Sequence, residues 1–302
     1  MDLSQKEELS IQFSLLDKIR SYASFFKLRL ASLVVFSAAL GYLIAADTIN
    51  WFDFLMLSLG GFLVTGSSNG YNQIIEVNLD RLMDRTKNRP LVTGKMSRQE
   101  AYILATLSGI IGISILWYFL NPLSGILGIF ALFIYVLIYT PLKQISPWAV
   151  FVGAFPGAIP PMLGVIAYTG TFSDQAGMIA GMLFFIQFIW QFPHFWAIAW
   201  VLDEDYAKGG FSLLPSKTRK SKRSAFHILI YTLFMVPVSL IPWVLDLTGD
   251  ITLVIGAIAG AWFFIYAYKL YLNLDDKSAK SLMFASFIYL PIIQFLYVFN
   301  KF

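Results

Sequence analysis

The sequence predicts an all-α integral membrane protein of nine transmembrane helices, with the N-terminus inside and the C-terminus outside. The first observation is the composition, because 58% of the 302 residues are hydrophobic and only 13% are charged. A soluble domain carries about 25% charged residues. The second is a series of nine apolar stretches, each close to the roughly 20 residues that span a bilayer as a helix. The third is the distribution of Lys and Arg between alternate loops.

The apolar stretches are separated by turn residues, which include Asn121-Pro122, Ser146-Pro147 and the segment from Asp246 to Asp250. Three prolines, at 156, 160 and 161, predict a break in the fifth span. The nine predicted spans are residues 30–46, 51–71, 101–120, 124–140, 148–168, 177–201, 225–244, 251–272 and 282–299.

The basic residues predict the orientation of these spans. Of the 22 Lys and Arg residues, all but Lys301 fall on one side of the membrane when nine spans are drawn. Lys and Arg are retained on the cytoplasmic side, so that side holds the N-terminus. The net charge of +4 therefore reflects topology and does not indicate nucleic-acid binding.

The first 29 residues are predicted to be a cytoplasmic segment, and residues 30–302 a single transmembrane domain. Apolar residues recur at helical spacing over residues 11–26, which predicts a helix lying on the inner membrane surface. Acidic residues interrupt this segment, so it resembles neither a signal nor a transit peptide. A bacterial cytoplasmic membrane is the expected location.

Four polar residues recur at every fourth position after the second span: Asn72, Glu76, Asp80 and Asp84. On a helix, neighbouring members of such a series share a face. Oxygen ligands on one face suit Mg²⁺, which usually shares its coordination shell with substrate phosphates. The alternative is a solvated helix whose charges pair along its surface. Four basic residues that could hold phosphate oxygens follow in the same loop: Arg81, Arg85, Lys87 and Arg89.

A second acidic cluster follows the sixth span on the same predicted face. It contains Asp203, Glu204 and Asp205, with Lys208 one turn later. Two such clusters on one face favour a shared metal–diphosphate site. The alternative is an acidic helix cap or a turn next to the membrane.

Both histidines fall near the same face. His194 lies about seven residues, or roughly 10 Å, from the inner end of the sixth span, and ionisable groups at such depth are usually functional. The alternative is a histidine satisfied by the carbonyl that Pro193 frees. His227, near the start of the seventh span, is expected at the interface. The absence of cysteine excludes disulfides and thiolate chemistry.

The series Asn72, Glu76 and Asp80 resembles the first Asn-x-x-x-Asp-x-x-x-Asp motif of the UbiA-type intramembrane prenyltransferases. Glu76 departs from that motif, and Ala207 stands where a full second motif would place its last acid. Five further segments resemble the haem-farnesylating branch of this family: residues 26–30, 84–90, 139–143, 190–196 and 204–206.

This resemblance implies a UbiA-like helical bundle in the lipid bilayer. It implies transfer of the farnesyl group of farnesyl diphosphate to the 2-vinyl group of haem B, with addition of water, to give haem O. The cofactor it implies is Mg²⁺, and the product would serve haem-copper oxidases, with a haem A synthase as a partner. The family implies no nucleic-acid partner.

The resemblance also assigns expected roles to individual residues. Binding of Mg²⁺ and diphosphate is expected from Asn72, Glu76, Asp80, Asp84, Asp203, Glu204 and Asp205. Catalytic roles are expected from Arg85, Arg89, Tyr139, Lys143 and Lys208. Haem binding is expected from Lys27, Arg29, Trp190, Gln191, His194 and His227.

Two other functions compete with haem farnesylation. One is a prenyltransferase of the same fold that acts on an aromatic ring in quinone biosynthesis, although such an acceptor needs no histidine in the sixth span. The other is a non-catalytic haem or lipid transporter, although the acids gather at the inner surface and not at the midplane, where transporter sites lie.

Overall fold

The computed structural model describes residues 15–301. Within that range the protein is helical, apart from one isolated β-bridge between Thr248 and Lys301. Nine long helical segments, named α1 to α9, account for most of residues 15–301: Leu28–Ala45, Trp51–Asp80, Arg98–Leu120, Pro122–Leu142, Ala149–Thr169, Asp174–Val201, Lys222–Val244, Asp250–Asn273 and Asp276–Phe299. Short helices cover residues 15–25, Pro90–Thr93 and Asp203–Lys208.

Eight of these segments are long and apolar enough to cross a membrane, which confirms an all-α membrane protein. The exception within the described residues is α2, where the glycines, serines and asparagines of Trp51–Asp80 dilute the apolar residues. The count of nine crossings and their orientation therefore stay predictions. The predicted break in the fifth span is wrong, because α5 is one helix of 21 residues with its three prolines inside.

Side-chain caps define where several helices begin. The Asn50 side chain accepts hydrogen bonds from the backbone N–H groups of Phe52 and Asp53 at the start of α2. The Asn121 side chain, directly before Pro122 and the start of α4, accepts one from the backbone N–H of Ser124. Such caps satisfy the N–H groups that the first turn of a helix leaves without partners. At the C-terminal end of α5, Gly170 has a φ of 68°, a left-handed conformation that glycine adopts without strain.

Helices α1 and α5 approach so closely that only glycine fits between their backbones. A Cβ atom on Gly164 would overlap the carbonyl oxygen of Ala38 and lie 2.5 Å from the backbone nitrogen of Tyr42. Gly41 meets the carbonyl of Pro161 in the same way. In lipid, small residues at such contacts allow the packing that holds helices together.

We expect Gly164→Ala to destabilise the protein by about 1–3 kcal/mol, because the methyl group would force these two backbones apart. The measurement is the thermal unfolding midpoint of the detergent-solubilised protein. Gly181→Ala is the matched control, since a Cβ at Gly181 meets nothing within 4 Å. Equal midpoints for the two variants would contradict the close approach.

The two ends of the described range pack against different helices: Phe25 contacts α2 and α3, and Lys301 contacts the end of α1. The helix over residues 15–25 exposes Leu15, Leu16 and Ile19 and buries Phe25. The earlier part of the predicted surface helix, before residue 15, lies outside the described residues. Lys301 donates hydrogen bonds to the carbonyls of Leu43, Ile44 and Ala46 around the end of α1. The one basic residue on the predicted outer side thus stabilises a helix C-terminus, where a cation is favoured.

Candidate functional site

The end of α2 carries three buried oxygen-bearing side chains in one row. Asn72, Glu76 and Asp80 are 2%, 3% and 1% exposed. Their spacing of four residues stacks them on the helix face that turns into the protein. The Asn72 amide nitrogen donates a hydrogen bond to Glu76 Oε2 at 2.7 Å. The predicted series ends there, because α2 itself ends at Asp80 and Asp84 lies in the following turn.

Basic side chains from distant parts of the chain pair with this row. Lys143 Nζ lies 2.6 Å from Glu76 Oε1, and an Arg89 guanidinium nitrogen lies 2.5 Å from Asp80 Oδ2. Lys27 Nζ donates to Asn72 Oδ1 at 3.5 Å. Burial and the nearby charges of Arg89 and Lys143 lower the pKa of Lys27 to about 7. We call Asn72, Glu76 and Asp80 together with their partners Lys27, Arg89 and Lys143 the charged row. Its basic residues outnumber its two carboxylates, so the charged row favours an anionic ligand.

An apolar cavity of about 330 Å³ lies beside this charged row. Residues of α1 to α6 line it, and Arg85 and Tyr206 line its end nearest the charged row. On α2 the lining residues run from Gly61 to Asn69, so the cavity begins within one helical turn of Asn72. The site therefore joins a cationic head to an apolar pocket of the size that holds small ligands.

A π-helical turn in α4 shapes the wall of this cavity. Residues Ile134–Tyr139 form the turn, and Tyr135 and Tyr139 both line the cavity. Such turns occur frequently at functional sites. Lys143 Nζ lies 5.0 Å from the centre of the Tyr139 ring, and the Arg85 guanidinium lies 5.3 Å from that of Tyr206. Tyrosine rings thus lie where the charged row meets the cavity.

The second acidic cluster faces loop groups and not the charged row. Asp203 pairs with Arg219 at 3.0 Å. Asp205 accepts hydrogen bonds from the backbone N–H groups of Asp84 at 2.7 Å and Arg85 at 3.2 Å. Glu204 is exposed. Asp205 therefore links this segment to the loop on which Arg85 lies, and Asp203 links it to the loop that carries Arg219.

Asp84 and Lys208 form an exposed contact between the same two loops. Asp84 pairs with Lys208 and, at 2.6 Å, with Lys87. These two lysines lower the pKa of Asp84 to about 2, so its carboxyl group is charged at neutral pH. The contact is at the surface, and both residues lie apart from the buried row.

The residues expected to bind haem are divided between several places. Gln191 lines the cavity, whereas His194 and Trp190 pack against α9. His227 Nδ1 bonds the carbonyl oxygen of Arg223 at the start of α7. Arg29 is exposed in the first turn of α1, and Lys27 belongs to the charged row.

The buried row has the chemistry of a magnesium site. Mg²⁺ is usually held by one or two carboxylates together with substrate phosphates. Glu76 and Asp80 supply two carboxylates, and Asp80 Oδ1 is a buried oxygen for which the described residues provide no hydrogen-bond donor. No cluster of three or more His, Cys, Asp or Glu that could hold a metal occurs in residues 15–301. The row therefore fits an ion completed by a phosphate ligand.

Comparison with known proteins identifies the family of this bundle. The UbiA prenyltransferase family matches residues 34–290, most of the chain. This chain belongs to the UbiA prenyltransferase family. It is a multi-pass membrane protein of a family of transferases.

Individual relatives support the family membership. The UbiA-family chain is 48% identical over 281 residues to the protoheme IX farnesyltransferase of Christiangramia forsetii, and the match covers 91% of each chain. A solved structure of a digeranylgeranylglyceryl phosphate synthase covers 94% of this chain and 98% of its own, at a TM-score of 0.78 and 20% identity. A UbiA homolog from Archaeoglobus fulgidus bound to DMAPP and Mg²⁺ has a TM-score of 0.65 at 16% identity, covering 92% and 99%. These structures confirm the UbiA fold.

Some residues of the site were not predicted. Tyr135 lies one π-helical turn before Tyr139, and its spacing from Tyr139 was the only signal. Tyr206 follows the second acidic cluster directly. Arg219 lies 16 residues beyond Asp203, its partner, and no local pattern joins the two.

We expect Asp205→Ala to make the loop that carries Arg85 more mobile, because two backbone N–H groups would lose their acceptor. The measurement is hydrogen–deuterium exchange of residues 81–89 in the absence of metal and substrate. The exchange rate is expected to rise about tenfold, which corresponds to about 1.4 kcal/mol in the free energy of local opening. Glu204→Ala is the matched control, since Glu204 is exposed beside Asp205. Unchanged exchange in Asp205→Ala would contradict this role.

Proposed function

We propose that this chain transfers the farnesyl group of farnesyl diphosphate to the 2-vinyl group of haem B, with addition of water, to give haem O and diphosphate. The observation that carries the proposal is the junction of a buried cationic cluster with an apolar cavity. A prenyl diphosphate has the same two parts, a polyanionic head and a hydrocarbon chain. The identity of the acceptor is supported by the name of the relative that is 48% identical.

The diphosphate is proposed to bind at the charged row. Arg89 and Arg85 can each hold phosphate oxygens with two parallel hydrogen bonds, and Lys143 adds a point charge. The hydrocarbon chain then lies in the cavity that α1 to α6 line, where burial of apolar surface favours binding. One anionic head offsets the excess of positive charge that the cluster otherwise carries.

Magnesium is proposed to bind together with the diphosphate. The residues that would hold it are Asn72, Glu76 and Asp80, and the UbiA homolog bound to DMAPP and Mg²⁺ supports this combination. When bound, the ion neutralises the diphosphate and makes it a better leaving group. Part of the second cluster, Asp203 to Asp205, is proposed to join the ligands once substrate is present.

The protein side chains then act on the charges that develop in the reaction. As the bond between C1 of the farnesyl group and the diphosphate oxygen breaks, Arg85, Arg89 and Lys143 stabilise the negative charge on the leaving oxygens. The allylic cation forms beside the tyrosine rings, whose faces attract positive charge. The apolar cavity excludes the water that would otherwise capture this cation.

The haem vinyl group attacks the allylic cation, and water adds to the carbon cation that results on the side chain and loses one proton to the released diphosphate. We propose that the acceptor reaches the site beside Gln191, with His194 as its protein ligand and Arg29 close enough to the inner surface to pair with a propionate. Lys27 is better placed to bind diphosphate, because it contacts Asn72. Haem O would then pass to a haem A synthase.

The test is a reaction in lipid vesicles that contain the purified chain, haem B, farnesyl diphosphate and Mg²⁺. Extracted pigment is expected to be heavier by one farnesyl group plus water, and chelation of Mg²⁺ is expected to stop its formation. Unchanged haem beside a prenylated benzoate or naphthoate would instead identify an aromatic acceptor. Absence of diphosphate release with every acceptor would contradict the proposal and favour the transporter.

A further inference from the structure

His194 lies in an aromatic enclosure between α6 and α9. It is 5% exposed, and its ring stacks on that of Trp190 with centroids 4.4 Å apart. The edge of Phe287 closes a second side at 4.6 Å. Its hydrogen-bond partner among the described residues is Ser286, whose Oγ lies 2.7 Å from His194 Nδ1.

The bonds of Ser286 determine which of these two atoms is the donor. Ser286 Oγ donates its single proton to the carbonyl oxygen of Met283 at 2.6 Å, a local bond that serine commonly makes in helices. The hydroxyl can then only accept from His194. The proton of the neutral imidazole is therefore on Nδ1, and Nε2 carries a lone pair.

Ser286 is itself held in place by the same aromatic group. The indole nitrogen of Trp190 donates to the backbone carbonyl of Ser286 at 3.1 Å. The Trp190–His194 stack and the two bonds to Ser286 thus fix the ring plane of His194 as well as its tautomer. A fixed tautomer and plane are what a metal-binding histidine receives from the group on its other nitrogen.

The surroundings of His194 connect it to the cavity. Phe195 lines the cavity, is 38% exposed, and its ring lies 5.2 Å from that of His194. Leu30 of α1 also lines the cavity and is 45% exposed. Two residues that line the cavity are thus exposed at the protein surface, and one of them contacts His194, so a large planar acceptor that approaches there from the membrane lies next to the histidine.

We propose that Ser286 is a positioning residue that holds His194 as the Nδ1–H tautomer, so that Nε2 can ligate the iron of the haem acceptor. The inference rests on the proposed function for the identity of the iron-bearing substrate. Ligation at Nε2 forms a coordinate bond from the lone pair and requires no change in protonation. Its role is to fix the haem in one orientation relative to the farnesyl chain.

The tautomer is tested first, without haem. In the full chain labelled with ¹⁵N-histidine, long-range ¹H–¹⁵N correlations are expected to show a protonated Nδ1 and an unprotonated Nε2 for the signal that His194→Ala removes. Ser286→Thr, which keeps a hydroxyl, is expected to retain this pattern, and Ser286→Ala is expected to lose it. A protonated Nε2 in the unaltered protein would overturn the inference.

Haem ligation is tested by titration of ferric and ferrous haem B with the absorption spectrum as the readout. An imidazole-ligated spectrum is expected to be lost in His194→Gly and restored by free imidazole. Ser286→Ala is expected to weaken haem binding about 10–100-fold, the usual cost of losing such a partner. Ser281→Ala is the matched control, because Ser281 donates to the carbonyl of Lys277 on the same helix.

The outcomes separate this inference from the proposed function. A haem spectrum unchanged in His194→Gly would overturn the ligation and leave His194 a packing residue. Ligation through His194 in a protein that forms no haem O would contradict the proposed function and support the inference. Farnesyl diphosphate binding, measured in each variant, shows that the protein is folded and does not depend on either result.

Discussion

Replacing Asp80 with Asn is expected to lower the rate of haem O formation by at least about 10²–10³-fold, the usual effect of removing one group that stabilises developing charge. Asp80 is 1% exposed and pairs with Arg89, so the substitution removes a buried negative charge and frees a guanidinium. The loss is expected in kcat, because the carboxylate is proposed to act on the leaving diphosphate through the metal that it would help to hold. The measurement is haem O formed at saturating farnesyl diphosphate over a series of Mg²⁺ concentrations.

The matched control for this substitution is Asp276→Asn. Asp276 pairs with Lys220 at 2.7 Å, but its side chain is 58% exposed and lies outside the site. An exposed pair of this kind contributes little to stability and has no role in the chemistry. A rate for Asp80→Asn within threefold of that of Asp276→Asn would contradict the magnesium site.

Replacing Lys143 with Met is expected to destabilise the protein by about 3–5 kcal/mol, because the buried Glu76 would lose its counter-ion. Lys143 is 8% exposed and Glu76 is 3% exposed, so water cannot compensate for the missing charge. Activity is expected to fall as well, since Lys143 is one of the residues proposed to bind the diphosphate. The measurement is the thermal unfolding midpoint, with haem O formation in parallel.

The double variant Glu76→Gln, Lys143→Met separates these two effects. It removes both charges, so most of the lost stability is expected to return while activity stays low. A neutral amide in place of the carboxylate needs no counter-ion and still fits the space. A double variant as unstable as Lys143→Met alone would contradict the ion pair as the cause.

The fold was largely predictable because its signals are local. Apolar runs define helices that cross a bilayer, and capping residues such as Asn121 mark where they begin. The exceptions come from contacts between helices. The prolines of α5 do not break it: in a bilayer, neighbouring helices can satisfy the backbone groups that prolines free, and α1 contacts α5 closely at Gly164.

The candidate site was predictable to the extent that it lies on one helix. Asn72, Glu76 and Asp80 share a face because of their spacing, and the structure buries all three. Asp84 continues the spacing in sequence, but the helix ends before it. The residue at which a helix ends cannot be predicted from the sequence pattern when no strong cap marks it.

The sequence by itself determined the class of protein, the helices, the buried row on α2 and the family. It did so because hydropathy, periodicity and motif spacing are properties of neighbouring residues. Only the tertiary structure decided which cations pair with the row, where the second acidic cluster faces and what holds His194. Lys143 meets Glu76, Asp205 meets the backbone of Asp84, and Ser286 meets His194 across 67, 121 and 92 residues of chain. Such contacts depend on how the helices pack, which no local pattern records.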